Sequence, residues 1–212
     1  MAYFPMFVQL KKKKCLVIGG GKIALRKIHV LKDFEAEVTV IAPEMILQIR
    51  QMNDICRIFR SFMEKDFDEA DLVVAATDDK EINHKISQIC RQKKIPVNAV
   101  DQKEDCSFIF PSYVKEGEVV AAFSSGGQSP VITQYLKEKI KPDLTEELGQ
   151  IAQILGSLRT LAKSCIATEQ QRKAFYKELL QIGLEDIDSL EEQRINEIIQ
   201  KYTKNQSEIE EQ

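Results

Sequence analysis

The sequence contains 212 residues, of which 43% are hydrophobic, and its formal net charge is −3 at pH 7. This length and apolar content suffice for one medium-sized domain with its own core and a second, smaller one. Because the basic residues do not gather along one long face, the charge pattern disfavours a non-specific nucleic-acid binder.

The cysteines and the first residues bear on the compartment in which the chain works. The five cysteines are odd in number, scattered and never spaced as C-x-x-C, which predicts neither a disulfide framework nor a metal site. The apolar run within residues 1–10 precedes the first lysines and is interrupted by Pro5, the reverse of a secretory signal. No run approaches the ~20 apolar residues of a membrane span. We therefore expect a cytoplasmic protein with neither a membrane nor a nucleic-acid partner.

The first predicted strand leads directly into a glycine-rich turn and then a helix. Residues 15–18 are apolar in succession, as expected of a strand buried on both faces. Gly19, Gly21 and Ala24 follow at the G-x-G-x-x-G/A spacing, and apolar residues then recur at helical intervals. Gly19 permits the chain reversal, Gly21 leaves room for a diphosphate, and Ala24 lets the helix lie close to the strand. The pattern predicts a dinucleotide site, with a turn that only closes the packing as the alternative.

Strand and helix patterns continue to alternate along the first half of the chain. Further strands are predicted at residues 38–42, 57–62, 71–77 and 96–100, with helices at 44–52 and after Asp78. Asp78 is predicted to cap the latter helix, and Glu81 completes a capping box. The predicted buried face of that helix carries Ile82, Ile86, Ile89 and Cys90. Short connections between alternating elements predict an α/β fold with a doubly wound parallel sheet and right-handed crossovers.

The remainder of the chain has a different pattern. Two antiparallel strands are predicted at residues 107–111 and 118–123. Ser129 is a suitable N-cap and Pro130 suits the first helical position, so a helix is predicted at residues 131–140. Further helices are predicted at residues 144–163, 175–181 and 195–202, and the tail at 206–212 is predicted to fray. A short β section and an all-helical end therefore follow the parallel sheet.

Six separated motifs resemble those of one family, in the same order. They are residues 4–7, 19–27, 38–43, 75–78, 97–101 and 124–130. Together they resemble precorrin-2 dehydrogenase, the amino-terminal module of siroheme synthase. The strand and helix pattern and the resemblance together predict a Rossmann-like NAD-binding domain at 1–112, a small α+β dimerisation section at 113–145 and a C-terminal helical domain at 146–212. The resemblance also implies NAD⁺-dependent oxidation of precorrin-2 to sirohydrochlorin in siroheme biosynthesis, by an intertwined homodimer.

The resemblance implies where NAD binds. The dinucleotide would lie over the carboxyl ends of the strands, with its diphosphate at Gly21, Lys22 and Ile23. Thr77 and Asp78, at the end of the fourth predicted strand, would border the nicotinamide half, although Asp78 also has the capping role described above. The predicted cofactor site therefore joins the glycine turn to the end of a second strand.

The residues that would hold the adenine ribose depart from the general dinucleotide-binding pattern. An acidic residue is usual at the end of the second strand, but Ala42 and Pro43 stand there and Glu44 follows. We predict that Glu44 or backbone groups at Pro43 bind the ribose. No Arg or Lys stands at this point to bind a 2′-phosphate, so NAD is preferred to NADP. As a first-turn residue of the next predicted helix, Glu44 has the alternative role of stabilising the helix dipole.

Asp101 is the predicted catalytic residue. It follows a buried strand at the cleft, where the resemblance implies that its carboxylate accepts a ring proton as hydride leaves for NAD⁺. General-base action of this kind contributes roughly 10²–10⁴-fold. Without the resemblance, the simpler interpretation is an Asx turn after the strand. Asp105 is the second candidate carboxylate.

The loop between the last predicted strand and the next helix is the predicted substrate-binding element. Ser125, Gly126 and Gly127 precede a helix start, so their N–H groups can hold an acidic side arm of the tetrapyrrole. The resemblance also places Ser125 in the substrate cavity, and a flexible loop is the alternative. Arg26 and Lys27 are candidates for attracting the polyanion, but exposed helix cations are usually only solvated.

Two alternatives to a dehydrogenase alone remain open. Some members of the family also insert ferrous iron into sirohydrochlorin, which would make the chain bifunctional. The two histidines, His29 and His84, form no visible ligand cluster, so no metal site is predicted. The other alternative is a non-catalytic NAD-sensing module whose helical tail contacts a partner. Asp101 and Ser125 favour the enzyme, since a sensor needs neither.

Overall fold

The chain divides into two compact units, Met1–Phe110 and Pro111–Gln212. The computed structural model describes residues 3–204, and the tail predicted to fray at 206–212 lies outside the described residues. None of the helices within residues 3–204 combines the length and the apolarity needed to cross a bilayer.

The first unit is built on a five-stranded parallel sheet. Its strands are β1 (Lys14–Ile18), β2 (Glu37–Ile41), β3 (Cys56–Ile58), β4 (Leu72–Ala75) and β5 (Val97–Ala99). Its helices are α1 (Lys22–Asp33), α2 (Leu47–Gln51) and α3 (Lys80–Lys93). The strand order is β3-β2-β1-β4-β5 and every pairing is parallel. The predicted α/β fold with a doubly wound sheet is confirmed, and the strand order reverses between β1 and β4, where such folds bind ligands.

Alternate side chains of the strands enter two separate cores, one on each face of the sheet. On one face Val17, Val40 and Val74 pack with Ala24 and Ile28 of α1, all five fully or almost fully buried. The opposite face packs against α3 and contains Leu16, Ile18, Ile41, Val73, Ala75, Ile86 and Cys90. Each large apolar side chain buried in this way contributes roughly 1.5–3 kcal/mol. The sheet is therefore a rigid base for the loops at its carboxyl edge.

The helix predicted at residues 44–52 is shorter in the structure. α2 begins only at Leu47, because the chain between β2 and α2 first runs beside the glycine turn. The Ile46 N–H donates to the carbonyl of Gly20 at 2.9 Å, which ties this segment to the turn before helical hydrogen bonding begins.

The cap of α3 is also displaced from its predicted position. Asp79, and not Asp78, is the N-cap, since its carboxylate accepts the N–H groups of Glu81 and Ile82 at 2.8 and 3.1 Å. The buried face differs accordingly: Ile82 is 37% exposed, whereas Asn83 is 2% exposed. A polar residue in the core was not expected from the hydrophobic pattern, and its hydrogen bonds are described below.

The second unit begins with an antiparallel hairpin. Its strands are β6 (Ser112–Glu116) and β7 (Val119–Phe123). Gly117 takes φ +56° in the turn between them. The prediction of a strand at residues 107–111 is wrong, because this segment forms hydrogen bonds with the parallel sheet instead. The Ser107 N–H donates to the Val97 carbonyl at 2.8 Å, and the Phe108 carbonyl accepts a hydrogen bond from the amide of Asn98 at 3.0 Å.

Helices form the rest of the second unit. They are α4 (Pro130–Ile140), α5 (Glu146–Ser157), α6 (Arg159–Cys165), α7 (Glu169–Glu185) and α8 (Glu192–Lys204). The prediction of a single helix at 144–163 is wrong, since Leu158, with ψ −6°, separates α5 from α6. Gly156 weakens the end of α5, because glycine is a poor helix former. The core of this unit includes Ile151, Ala162, Phe175, Leu179 and Ile198.

Candidate active site

Two successive glycines allow the turn after β1 to pack closely against other backbone. Gly19 has φ +127°, and a Cβ placed on it would overlap the carbonyl oxygen of Ala76, just beyond β4. A Cβ placed on Gly20 would overlap the carbonyl oxygen of Glu44. Neither position therefore accepts a side chain without a backbone shift. The G-x-G-x-x-A spacing marks Gly19 but not Gly20, so sequence reasoning missed the second requirement.

Gly21 has the opposite character, because nothing lies within 4 Å of its Cβ position. It is the N-cap of α1, and the first helical hydrogen bond runs from the Leu25 N–H to the Gly21 carbonyl at 3.0 Å. The N–H groups of Lys22, Ile23 and Ala24 precede that bond and point out of the positive end of α1. Open space before free N–H groups is what a diphosphate requires, so these residues fit a dinucleotide.

Pro43 and Glu44 are exposed beside this turn. α2 begins three residues after Glu44 and has no acidic residue in its first turn. The alternative role for Glu44, stabilisation of a helix dipole, is therefore wrong. Its side chain remains available to a ligand that follows the glycine turn towards the end of β2.

The end of β4 is held to α3 through Thr77. The buried Asn83 side chain accepts the Thr77 N–H at 3.2 Å and donates to the Thr77 carbonyl at 3.1 Å. The Thr77 hydroxyl lies 2.8 Å from the same amide oxygen and 3.0 Å from the Asp79 carbonyl. Asp78 between them is exposed. The two residues predicted to border nicotinamide thus lie on a rigid turn at the carboxyl edge of the sheet.

Asp101 is exposed at the same edge, beyond β5. The Val100 N–H donates to the Ala75 carbonyl at 2.9 Å, so the chain stays in register with β4 up to the residue before Asp101. Asp101 itself has φ +59°, a left-handed conformation that Asp and Asn tolerate better than most residues. β5 is two strands from β1, so the two strands lie about 10 Å apart across the sheet.

Asp105, the second candidate carboxylate, has a structural role. It is 5% exposed, and its oxygens lie 2.8 and 2.9 Å from Nδ1 of His84 on α3. Gln102 donates to it at 3.2 Å, and the Ser87 hydroxyl donates to its backbone carbonyl at 2.7 Å. Asp105 therefore anchors the segment that follows Asp101. Sequence reasoning missed this pairing, because His84 and Asp105 are far apart in the chain.

The cysteines have structural surroundings. All five are free thiols, and burial raises the pKa of Cys15 and of Cys90 to about 12, so both stay protonated at neutral pH. The Cys106 thiol forms hydrogen bonds with β5, since its Sγ lies 3.3 Å from the Ala99 nitrogen and 3.1 Å from the Ala99 oxygen. Within residues 3–204, no three His, Cys, Asp or Glu side chains are grouped as a metal site would require.

The predicted substrate loop lies in the second unit. The Ser125 hydroxyl donates to the Ser129 carbonyl at 3.0 Å and accepts the Ser129 N–H at 2.9 Å, which closes the loop before α4. Gly126 and Gly127 take φ +62° and +74°, and the Gly126 N–H donates to the Ser124 hydroxyl at 3.1 Å. The loop is therefore held by its own hydrogen bonds.

The first unit thus belongs to the class of Rossmann-like dinucleotide-binding proteins, with the glycine turn at the switch point between β1 and β4. Residues 6–112 match the family described as putative NAD(P)-binding, and the chain belongs to that family.

Several curated proteins are similar to most of this chain. The siroheme synthase of Thioalkalivibrio sulfidiphilus is 37% identical over 184 residues, which are 85% of this chain and 38% of that protein. Siroheme synthase 2 of Yersinia pseudotuberculosis is 39% identical over 183 residues, or 85% of this chain and 39% of that protein. The chain therefore spans about two fifths of the length of these relatives.

One solved structure has a similar fold over nearly the whole chain. The structure of SirC, precorrin-2 dehydrogenase, covers 95% of this chain and 100% of its own length, with a TM-score of 0.64 and 24% sequence identity. The similarity supports the order of elements described above: a parallel sheet, a small hairpin and a helical end.

Proposed function

We propose that the chain is an NAD-dependent precorrin-2 dehydrogenase that produces sirohydrochlorin in siroheme biosynthesis. The single observation that carries the proposal is the exposed Asp101 carboxylate at the carboxyl edge that also presents the glycine turn. The names of the similar siroheme synthases and of SirC support a tetrapyrrole with several acidic arms as the proposed substrate.

The proposed cofactor contacts follow from the exposed groups at this edge. The N–H groups of Lys22 and Ile23 bind the diphosphate, and Gly21 leaves the space it fills. Glu44 accepts hydrogen bonds from ribose hydroxyls, and its negative charge disfavours the 2′-phosphate of NADP. Thr77 and Asp78 border the nicotinamide half on the turn that Asn83 holds.

The proposed reaction removes one hydride and one proton from the substrate. When bound, NAD⁺ would supply the hydride acceptor. Asp101 accepts the proton that leaves a ring position of precorrin-2, and the products are sirohydrochlorin, NADH and H⁺. Asp105 and His84 keep the segment after Asp101 in place. We also propose that the Ser125, Gly126 and Gly127 loop is a binding element for an acidic arm of a tetrapyrrole.

We propose that a second copy of the chain covers α4. None of the residues of α4 is buried, although Val131, Ile132 and Tyr135 are apolar or aromatic and are 77%, 55% and 62% exposed. Such a group of exposed apolar side chains is typical of an interface. The proposed homodimer works in a reducing cytoplasm, in agreement with five free thiols.

An anaerobic assay with precorrin-2 and NAD⁺ tests the proposal. We expect the wild type to produce NADH and sirohydrochlorin in equal amounts. The absorbance of the two products is used to measure them. Asp101→Asn keeps the shape and tolerates φ +59°, so it should bind NAD⁺ normally and lose at least ~10²-fold in kcat. NAD⁺ binding without turnover in the wild type would support a sensing module instead. Equal rates for wild type and variant would remove Asp101 from its proposed role.

A further inference from the structure

Lys27 differs from the other cations on α1 in its surroundings. It is half-buried, whereas the adjacent Arg26 is exposed. Its ammonium lies 4.0 Å from the centroid of the Phe110 ring. Phe110 in turn packs with Val100 against the core on the α1 side of the sheet. Lys27 is therefore directed towards the segment after β5, within the same compact unit.

The burial of Lys27 is unfavourable for its charge. Desolvation lowers the pKa of Lys27 from its ordinary value of 10.5, and the neighbouring charge of Arg26 acts in the same direction. The charges of Cys106 and Asp101 act in the opposite direction and raise the pKa of Lys27. The net direction is downwards, so these neighbours do not compensate for the loss of water.

Lys27 also has no direct polar partner. Within residues 3–204 its ammonium makes no hydrogen bond and no ion pair, and its ring contact with Phe110 is the interaction observed. Lys13 and Lys93, by contrast, pair with carboxylates at 3.0 and 2.7 Å. A partly buried cation without a partner destabilises a protein unless something else supplies the opposite charge.

We propose that Lys27 is a substrate-binding residue whose ammonium pairs with a carboxylate arm of the tetrapyrrole beside Asp101. This inference rests on the proposed function, which supplies a substrate with several carboxylates. Phe110 supports the ammonium from one side, so its donors are directed towards the ligand. The sequence alone did not distinguish Arg26 from Lys27, which were both candidates for attracting the polyanion, and burial separates them.

A dinucleotide phosphate is the other anion that Lys27 can reach in principle. Lys27 lies more than one turn into α1, beyond the N-terminal N–H groups that face the diphosphate position. Its ammonium lies instead over Phe110, in the segment that follows Asp101, where the reacting part of the substrate is proposed to bind. The carboxylate arm is therefore the ligand we infer, and the experiment measures both ligands.

The test compares Lys27→Met, Lys27→Arg and a matched control, Arg26→Met. Equilibrium binding of sirohydrochlorin, followed by its absorbance, is measured together with KM for precorrin-2 and the dissociation constant of NAD⁺. Lys27→Met should weaken tetrapyrrole binding roughly 10–100-fold, since a hydrogen bond to a charged group contributes about 1.5–3 kcal/mol. NAD⁺ binding should stay unchanged, Lys27→Arg should retain most of the affinity, and Arg26→Met should resemble the wild type.

Thermal unfolding supplies a second readout. Lys27→Met removes a desolvated charge and keeps an unbranched chain against Phe110, so its Tm should equal or exceed that of the wild type. A lower Tm, or a loss of NAD⁺ rather than tetrapyrrole affinity, would overturn the inference. The inference would also be overturned if the wild type were active and Lys27→Met bound the tetrapyrrole with the same affinity as the wild type. A wild type that neither binds nor oxidises a tetrapyrrole would overturn the proposed function itself, and the inference with it.

Discussion

A Cβ on Gly19 would overlap the carbonyl oxygen of Ala76, so the glycine turn and the end of β4 are joined without room for a side chain. Gly21, two residues later, faces open space. The two glycines of one motif therefore have different functions. The first permits the sheet to pack, and the second leaves space for a ligand.

Gly19→Ala should destabilise the protein strongly. The new methyl group meets backbone rather than a movable side chain, and φ +127° is strained for any L residue. Overpacking and backbone strain together predict a loss of roughly 2–6 kcal/mol in the free energy of unfolding. Urea unfolding of the variant and the wild type measures this loss of stability. Gly156→Ala is the control, because its Cβ position is open and alanine favours the helix. Equal stability of Gly19→Ala and the wild type would contradict the packing described here.

Gly21→Ser should separate binding from stability. Serine is a good N-cap and the space is open, so the free energy of unfolding should stay equal or rise by up to about 1 kcal/mol. The same side chain occupies the diphosphate space and accepts the N–H groups at the helix start. The dissociation constant of NAD⁺, measured by calorimetry, should therefore rise at least ~10-fold. Unchanged NAD⁺ affinity would show that the diphosphate binds elsewhere.

Asp66→Asn should reveal a pH-dependent contribution to stability. Two hydrogen bonds of 2.7 Å from Arg60 hold the pKa of Asp66 below its ordinary value of 3.8, and the Met63 N–H adds a third. Because the folded-state pKa is depressed, the stabilisation is present above the unfolded pKa and is lost as pH falls through the folded pKa. At pH 7 the variant should lose about 1.5–3 kcal/mol.

Urea midpoints across the acidic range check this prediction. The difference between wild type and Asp66→Asn should narrow below about pH 4 and vanish below the folded pKa of Asp66. Glu69→Gln is the matched control, because Glu69 also pairs with a cation, Lys14, but its side chain is 78% exposed. An exposed pair contributes little, so the control should resemble the wild type. A difference at pH 7 that persists unchanged in acid would contradict the assignment.

Asp105→Ala should lower both stability and turnover, although Asp105 touches no ligand in the proposed reaction. Its removal leaves Gln102 and His84 without their buried acceptor and releases the segment after Asp101. We expect a loss of about 1.5–3 kcal/mol in unfolding free energy and a fall in kcat. Glu104→Ala removes the exposed neighbouring carboxylate and should change neither. If Asp105→Ala were as stable as the wild type, the anchoring role would be lost.

The sequence predicted those features that depend on local chemistry. The G-x-G-x-x-A spacing located the turn, and Ser129 with Pro130 located the start of α4, because caps and tight turns are set by adjacent residues. Asp78 and Asp79 are both suitable caps, so their assignment depended on the hydrogen bonds of Thr77, which the sequence does not show.

Features that depend on distant contacts were not predictable. The pairing of His84 with Asp105 and the packing of Gly20 against Glu44 join separate segments. Residues 107–111 read as a strand, but their partners lie in the parallel sheet. Burial distinguishes Lys27 from Arg26, and burial depends on Phe110, which is remote in the sequence. Hydrophobic periodicity predicts which face of a helix or strand is buried, but it does not predict which residues pack against that face.

Val131→Glu should dissociate the proposed dimer. Val131 is 77% exposed on α4, and a charge placed in an apolar interface loses its water without gaining a partner. Sedimentation equilibrium of the wild type should give twice the mass of the chain, and the variant should give a monomer with an unchanged circular dichroism spectrum. Leu47→Glu is the matched control, because Leu47 is 64% exposed on α2 and has no part in the proposed interface. A monomeric wild type, or a Val131→Glu dimer as stable as that of Leu47→Glu, would contradict the assignment of α4. If Val131→Glu is monomeric as predicted, its turnover should be measured. Retained activity would mean that each copy of the chain carries a complete site.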